Sequence, residues 1–191
     1  MNSEVSTAEY WEERYRSGET GWDLGGPCPV FVELLGGPRA PPPGRVAFPG
    51  CGHGHDVRLF AERGYDAVGF DFALSSADPP IERMDVFDLG RRYPEAFHTI
   101  VEYTCYCAID PERREEYAGV LWSALKPGGL LVALLFPVER KPEGPPFGID
   151  EAEIEDVLAR DLGILEVTTP ESSVDARRGR ERLVLARKGA G

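Results

Sequence analysis

The chain has 191 residues, of which 42% are hydrophobic, and a formal net charge of −12 from 33 acidic and 21 basic residues. This length and composition are typical of one globular domain, residues 1–191. The negative charge opposes binding to a phosphate backbone, and no apolar run approaches the roughly 20 residues of a membrane helix. We therefore expect a single domain that binds neither nucleic acid nor a membrane.

The number of cysteines indicates whether the protein occupies an oxidising or a reducing compartment. Four cysteines, Cys28, Cys51, Cys105 and Cys107, are too few for a disulfide scaffold. The first fifteen residues are polar and acidic, unlike a signal peptide. We expect reduced thiols and a cytoplasmic location. No sequence signal decides the oligomeric state, and we favour a monomer.

The first 40 residues predict a helical cap on the core. Ser6 and Glu9 have the spacing of a capping box, which predicts the start of a helix. Trp11 and Tyr15 lie four residues apart on this helix, so they share one of its faces.

A glycine-rich loop containing Trp22 follows the first helix, and a short second helix is predicted from Pro29. Three consecutive prolines, at 41–43, then separate the cap from an apolar strand. We expect the core sheet to cover residues 45–188.

The apolar run that ends at Pro49 leads directly into three alternating glycines, Gly50, Gly52 and Gly54. A strand-to-helix turn that lies against a ligand favours glycine, because there is no room for Cβ atoms and φ is often positive. The start of the next helix adds unpaired N–H donors. A dinucleotide fingerprint requires a third glycine where His55 stands, and a Walker loop requires a lysine. The turn therefore predicts a nucleotide-like ligand without a pyrophosphate.

Acidic residues follow the next two predicted strands. Residues 67–70 predict the second strand, and Asp71 at its end is placed to accept from both ribose hydroxyls. Residues 81–84 predict the third strand, after which Asp85 and the backbone of Val86 are placed to meet an adenine edge. A nucleoside cofactor with few or no phosphates fits these features, and S-adenosylmethionine is the commonest of that kind.

The connection between these two strands is short. Only nine residues, 72–80, separate Asp71 from Ile81, and they include Pro79 and Pro80. A right-handed crossover with its helix takes about a dozen residues or more. We therefore expect the helix between strands 2 and 3 to be shortened or absent.

The rest of the chain alternates strands with helices and ends in an antiparallel hairpin. The predicted elements are a strand at 97–103, a helix at 110–125, a strand at 130–136 after a breaker cluster, a helix at 150–161, and hairpin strands at 164–168 and 182–187. This alternation predicts an α/β fold with a doubly wound, Rossmann-like sheet.

Cys51, His53, His55 and Asp56 lie close enough in sequence to suggest a metal cluster. We expect their side chains to diverge around the turn, and no C-x-x-C or H-x-x-x-H spacing supports a tetrahedral site. The sequence therefore predicts no metal site.

Six segments, in order along the chain, resemble the thiopurine S-methyltransferase family, including its thiol and halide methyltransferase branches. They are residues 11–15, 22–25, 49–54, 102–110, 144–147 and 178–181. The resemblance covers nearly the whole length. It implies a class I methyltransferase fold, with S-adenosylmethionine as the cofactor and a small molecule as the methyl acceptor.

The resemblance also implies roles for particular residues. The implied cofactor-binding residues are Trp11, Tyr15 and Trp22 over the methionine end, Gly50, Cys51 and Gly52 in the turn, Asp71 at the ribose, Asp85 and Val86 at the adenine, and Glu102 and Tyr103 beside the donor methyl. Aromatic rings suit a sulfonium, because its positive charge is attracted to ring faces. Tyr103 and Tyr106 are the candidate catalytic residues that orient or deprotonate the nucleophile; packing at the sheet end is the alternative role.

The predicted function is methyl transfer to a small soft nucleophile, with thiols favoured over halides. One alternative is an NAD(P)-binding oxidoreductase, because Gly50 and Gly52 with Asp71 also occur in dinucleotide sites. Another is a noncatalytic module that binds S-adenosylmethionine, which the short connection at 72–80 suggests.

Overall fold

A computed structural model of the chain describes residues 3–74, 76–139, 141 and 143–190. Its strands are β1 (Arg45–Pro49), β2 (Asp66–Asp71), β3 (Ser76–Ala77), β4 (Pro80–Arg83), β5 (Phe97–Tyr103), β6 (Leu125–Leu135), β7 (Gly163–Thr168) and β8 (Arg182–Arg187). Its α-helices are α1 (Ala8–Ser17), α2 (Pro29–Gly36), α3 (His55–Glu62), α4 (Leu89–Arg92), α5 (Arg114–Ala124) and α6 (Glu151–Glu153). Residues 1 and 2 of the predicted cap, and residue 75 of the predicted short connection, lie outside the described residues.

All eight strands form one sheet in the order β3-β4-β2-β1-β5-β6-β8-β7. The five strands from β4 to β6 in this order run parallel, whereas β3, β7 and β8 are antiparallel to their neighbours. The predicted doubly wound sheet with a terminal hairpin is therefore confirmed.

Apolar layers cover both faces of the sheet. Successive residues of β1 point to opposite faces: Phe48 packs with Phe31 of α2 and Phe60 of α3, whereas Ala47 belongs to the cluster that includes Leu121 of α5. A parallel sheet buried on both faces explains why its strands are almost continuously apolar.

Among the described residues, no helix lies between β2 and β4, in line with the expectation that it is shortened or absent. In its place, β3 pairs with β4 as a small antiparallel hairpin, with Ser76 opposite Ile81. Pro80 opens β4 and has no backbone N–H to donate to a ladder. This hairpin forms one edge of the sheet.

The other edge of the sheet is β7. It pairs with β8 along one side only, and Leu165 and Val167 on it are 56% and 41% exposed. Glu166, between them, forms an ion pair with Arg39 at 2.7 Å.

Three predicted boundaries were wrong. The first helix is capped by Thr7, whose hydroxyl accepts from the backbone N–H of Tyr10, because Ser6 already belongs to a 3₁₀ turn. Strand β6 begins at Leu125, and the breaker residues after it form an irregularity within the strand. The last predicted helix is a single turn capped by Asp150, and residues 154–158 continue it as a π-helix.

Candidate functional site

The glycine turn, residues 50–54, connects β1 to α3 at the carboxyl edge of the sheet. Gly50 and Gly52 adopt φ angles of 61° and 54°. A Cβ atom on Gly50 would lie 2.7 Å from the side chain of Cys105, and one on Gly52 would lie 3.2 Å from the Tyr15 hydroxyl. The positive φ angles favour glycine at both positions, and at Gly50 there is also no space for a Cβ atom.

Asp71, at the end of β2, is buried and holds the glycine turn in place. Its Oδ2 accepts from the backbone N–H of Gly52 at 2.9 Å, and its Oδ1 accepts from those of Ala73 and Leu74 at 2.9 and 3.0 Å. Burial raises the pKa of this carboxyl, and the three backbone donors oppose that rise. The carboxylate thus organises both turns while it lines the cavity beside them.

A cavity of about 410 Å³ lies along the carboxyl ends of the strands. This is the edge where open α/β sheets bind ligands, beside the point at which the strand order reverses. Its lining includes Trp11, Tyr15, Trp22, Gly50, Asp71, Phe72, Asp85, Val86, Phe87, Thr104, Ile109, Arg113, Phe136, Pro145, Pro146 and Arg177.

An aromatic trio, Trp11, Tyr15 and Trp22, closes one side of this cavity. Trp22 meets Trp11 and Tyr15 edge to face, with ring centroids 5.5 and 5.6 Å apart. The indole Nε1 of Trp11 donates to the backbone oxygen of Val5 at 2.9 Å, which orients its ring. The trio is placed by α1 and the loop after it, so the predicted cap lies over the site.

Arg177 brings a buried positive charge to the end of the cavity beyond β6. Its guanidinium donates to the backbone oxygen of Trp22 at 2.8 Å and to the hydroxyl of Tyr103, and it lies 4.9 Å from the ring centroid of Phe136. Tyr103 in turn donates to Glu181 at 3.0 Å. These contacts hold the cation at a fixed position. Only 5% of Arg177 is exposed, so its charge is largely shielded from water.

The opposite end of the cavity lies beyond β4. Asp85 accepts from the backbone N–H of Phe87 at 2.9 Å and caps a 3₁₀ turn that begins at Val86. Arg113 lies over the Phe87 ring, 3.6 Å from its centroid. Phe72, Phe87 and Arg113 were missed by the sequence analysis. The sequence contained a signal for the two phenylalanines, because Phe72 directly follows Asp71 and Phe87 comes two residues after Asp85.

The predicted site residues do not all reach this cavity. Those that line it are Trp11, Tyr15, Trp22, Gly50, Asp71, Asp85 and Val86. Those that line a smaller, adjoining cavity of about 60 Å³ are Cys51, Gly52 and Tyr103. Glu102 and Tyr106 line neither of these two cavities.

Tyr106 does not take the predicted catalytic position. It is 1% exposed, its ring packs 6.4 Å from that of Tyr117, and its hydroxyl lies 3.4 Å from Glu153. Burial raises the pKa of Tyr106 and of Tyr103 above the usual range of a phenol, and nearby carboxylates raise it further. Neither hydroxyl is suited to remove a proton near neutral pH. Packing, the alternative role, describes Tyr106, whereas Tyr103 holds Arg177.

Glu102, predicted to lie beside the donor methyl, is fully buried in β5 and lines neither of the two cavities. Its Oε1 accepts from the backbone N–H of Tyr106, while burial raises its pKa to about 7. The positive charge of Arg114 opposes this rise in pKa, and Arg114 is also buried, with 2% exposed. Glu102 therefore shapes the turn after β5 from inside the core.

His53 in the glycine turn and His55 at the start of α3 converge on Asp23, contrary to the expected divergence. His53 Nδ1 lies 2.7 Å from Asp23 Oδ2, and His55 Nε2 lies 3.2 Å from Asp23 Oδ1. The side chains of Asp56 and Cys51 point elsewhere. Asp56 accepts from the backbone N–H of Cys28, which precedes α2, and the Cys51 thiol donates to the backbone oxygen of Gly52. Sequence spacing missed this cluster because Asp23 comes from a loop 30 residues away.

Among the described residues, no helix is long and apolar enough to cross a membrane.

Comparison with known proteins places nearly the whole chain, from residue 6 to residue 187, in one family. The sequence model of the family described as thiopurine S-methyltransferase (TPMT) matches residues 6–82 and 74–187. A protein named "probable thiol methyltransferase 2" of Arabidopsis thaliana is 32% identical over 187 residues, which cover 91% of this chain and 82% of that protein. "Thiocyanate methyltransferase 1" of Brassica oleracea is 33% identical with the same coverage.

Solved structures of low identity share the fold. A structure of Burkholderia thailandensis 1,6-didemethyltoxoflavin-N1-methyltransferase, with bound S-adenosylhomocysteine, has a TM-score of 0.75 at 17% identity and covers 95% of this chain and 87% of that one. A structure from work on the conversion of a disulfide bond into a thioacetal group during echinomycin biosynthesis has a TM-score of 0.77 at 21% identity, covering 96% and 94%.

The cavity suits the cofactor of this family. Its glycine turn, the acids after β2 and β4, and the aromatic trio offer complementary surfaces to a nucleoside that carries a sulfonium. The chain is therefore an S-adenosylmethionine-dependent methyltransferase and belongs to the thiopurine S-methyltransferase family.

Proposed function

We propose that this methyltransferase transfers a methyl group to the sulfur of a small thiol or thiolate-like anion. The observation that carries the proposal is Arg177, a buried cation that lies in the segment between β7 and β8 and lines the cavity. In a dry, low-dielectric site a fixed positive charge favours an anionic ligand much more strongly than it does in water. It also lowers the pKa of a bound thiol, which increases the thiolate fraction.

When bound, S-adenosylmethionine supplies an electrophilic methyl group on a positively charged sulfur. The aromatic trio faces the cavity and suits that charge, because ring faces attract cations. Asp71 and Asp85 lie at the ends of β2 and β4, where the ribose and adenine are expected. This arrangement leaves the end near Phe136 and Arg177 for the methyl acceptor.

The proposed reaction requires alignment and exclusion of water more than a base. A thiol with a pKa of about 8.5 is already partly ionised near neutral pH. Methyl transfer is an in-line displacement, so a fixed acceptor position contributes much of the rate. Tyr103 fixes Arg177 through its hydroxyl, which is a positioning role. The relatives named thiol and thiocyanate methyltransferases support sulfur as the accepting atom.

The test is a panel of acceptors with a labelled methyl donor: small aliphatic and aromatic thiols, a thiopurine, thiocyanate and iodide. We expect methylated products from thiols or thiocyanate, with lower rates from iodide. Product from iodide alone would contradict the proposal in favour of a halide acceptor. If no acceptor yields product while S-adenosylhomocysteine binds tightly, the noncatalytic alternative is correct. Titration with NADH is the control for the oxidoreductase alternative, and we expect no binding.

We also propose that the chain is a single domain that acts as a cytoplasmic monomer. All four cysteines are free thiols, which agrees with a reducing compartment. The acidic net charge of −12 argues against a nucleic-acid partner. Sedimentation of the purified chain, with and without S-adenosylhomocysteine, tests the monomer; a dimer in either sample would contradict it.

A further inference from the structure

Three potential metal ligands from two segments meet beside the cofactor cavity. They are the carboxylate of Asp23, in the Trp22 loop (residues 21–26), and the imidazoles of His53 and His55, in and after the glycine turn. One ligand atom from each residue lies within 4.8 Å of those from the other two. The described residues contain no second group of this kind within that distance.

We propose that Asp23, His53 and His55 bind a divalent transition-metal ion of the Zn²⁺ type, and that this ion ties the Trp22 loop to the glycine turn. Two imidazole nitrogens and one carboxylate oxygen are a common three-ligand set for such ions, with water in the remaining positions. Zinc to ligand distances of about 2.0–2.2 Å require the three atoms to lie roughly 3–4 Å apart. In the structure one ligand atom from each residue lies within 4.8 Å of the other two, with His53 Nδ1 2.7 Å from Asp23 Oδ2 and His55 Nε2 3.2 Å from Asp23 Oδ1.

The surroundings of the cluster allow an ion to enter and the ligands to adjust. The side chains of His53 and His55 are 50% and 36% exposed, so their rings can rotate by the small amount required. Asp23 is less exposed, and its Oδ1 is oriented by the backbone N–H of Gly25 at 2.7 Å. Such outer hydrogen bonds fix the direction of a ligand carboxylate.

The position of the cluster links the ion to the cofactor site. Trp22 directly precedes Asp23, and its ring belongs to the aromatic trio. The His53 ring also meets that of Tyr15, with centroids 5.3 Å apart. An ion that joins both segments therefore favours the arrangement in which the trio covers the cavity. This coupling rests on the methyl-donor site but not on the identity of the acceptor.

The first test is calorimetric titration of the chelator-treated full chain with Zn²⁺ and with Mg²⁺. We expect one Zn²⁺ per chain and no comparable Mg²⁺ binding, because imidazole ligands select transition metals over hard cations. His53→Gln, His55→Gln and Asp23→Asn should each lower the Zn²⁺ affinity by about 10-fold or more. Circular dichroism of each metal-free variant confirms that it is folded. Absence of one-site Zn²⁺ binding, or equal binding by the three variants, overturns the site.

Spectra with Co²⁺ identify the ligands. We expect ligand-field bands without a thiolate charge-transfer band, and selective broadening of the His53 and His55 proton resonances. His98 is the internal control, because its Nδ1 accepts from Arg45 at the amino end of β1, away from the cavity edge. Equal broadening of His98, or a thiolate band, would assign the ion to other residues and overturn the site.

The second test concerns the coupling. Zn²⁺ should raise the affinity for S-adenosylhomocysteine in the wild type by several-fold, and S-adenosylhomocysteine should raise the Zn²⁺ affinity by the same factor. His53→Gln should abolish both effects. Zn²⁺ binding without any change in cofactor affinity would overturn the coupling. A chain that methylates no thiol yet binds Zn²⁺ through these residues would contradict only the proposed function.

Discussion

The backbone N–H of Gly52 donates to Oδ2 of Asp71 across 2.9 Å and so joins the glycine turn to the end of β2. The same carboxylate holds the turn after β2 through Ala73 and Leu74. Asp71 is therefore a structural part of both turns as well as the expected partner of the ribose.

Replacement of Asp71 by asparagine should weaken cofactor binding. The amide has one acceptor oxygen, so at least one of the three backbone donors loses its partner. A hydrogen bond to a charged group contributes about 1.5–3 kcal/mol to stability, and we expect the affinity for S-adenosylhomocysteine to fall by up to roughly 10- to 150-fold. Calorimetric titration measures this loss. Asp66→Asn is the matched control at the exposed start of β2; a similar loss in both variants would argue against a specific role for Asp71.

The aromatic trio should discriminate the charge of the cofactor. S-adenosylmethionine carries a sulfonium and S-adenosylhomocysteine does not, so Trp22→Leu should weaken binding of the former more, by about 3- to 10-fold beyond any shared loss. Competition binding with both ligands gives the ratio. Trp122→Leu, at an exposed position on α5, should leave both affinities unchanged. Equal losses for the two ligands would mean that Trp22 contributes only packing.

Arg177→Gln should lower kcat/KM for an anionic acceptor by about 10- to 100-fold, because the variant removes a charge-assisted interaction in a buried site. Binding of S-adenosylhomocysteine should fall by a smaller factor, because the glutamine amide retains a donor for the backbone oxygen of Trp22. Arg178→Gln is the control, since that neighbouring arginine is exposed and pairs with Asp175. Unchanged acceptor kinetics in Arg177→Gln, despite a folded protein, would refute the anion-binding role.

Tyr103→Phe distinguishes a positioning residue from a base. The phenol remains protonated near neutral pH because burial raises its pKa. The variant removes the hydroxyl that accepts from Arg177, so the guanidinium is held less firmly and KM for the acceptor should rise severalfold. The pH profile of kcat should not change. Initial rates from pH 6 to pH 9 test this. Loss of the acidic limb, the fall in kcat at low pH that a required base produces, would restore the catalytic role that the sequence suggested.

Glu102 should make the protein less stable as the pH rises. Its folded pKa of about 7 lies above the ordinary value of 4.5, because burial disfavours the carboxylate. The folded state then binds more protons than the unfolded state, so the stabilising contribution is complete below about pH 4.5 and is lost as the pH rises through about 7.

Glu102→Gln keeps the neutral form at every pH. Relative to the wild type, its free energy of unfolding should rise by about 2–4 kcal/mol between pH 5 and pH 8. Urea denaturation at several pH values measures this change. Glu112→Gln, at an exposed position, should show no such trend. A parallel pH dependence of Glu102→Gln and the wild type would show that this carboxyl does not titrate in the core.

The parts of the fold that could be predicted are those that neighbouring residues specify. The glycine turn follows from Gly50 and Gly52, and the missing helix follows from the length of the connection at 72–80. The strand boundaries of β5 and β8 were predicted correctly, because apolar runs end there at charged or polar residues.

The errors in the site concern side-chain direction. Glu102, Tyr103 and Tyr106 lie within five residues, yet the first points into the core, the second holds Arg177 and the third is a buried residue that begins a 3₁₀ turn. A sequence pattern does not specify the conformation of such a turn. The contact of Asp23 with His53 was missed because it depends on how a distant loop folds over the sheet.

The two edges of the sheet differ in their exposure to strand addition. On one side, the two residues of β3 and the leading proline of β4 leave little backbone for another chain to pair with. On the other side, β7 presents six residues with exposed Leu165 and Val167, and the charge of Glu166 is engaged by Arg39. Resistance of this protein to aggregation through its sheet therefore depends on β7, and a lysine at position 165 or 167 is the substitution that protects this edge.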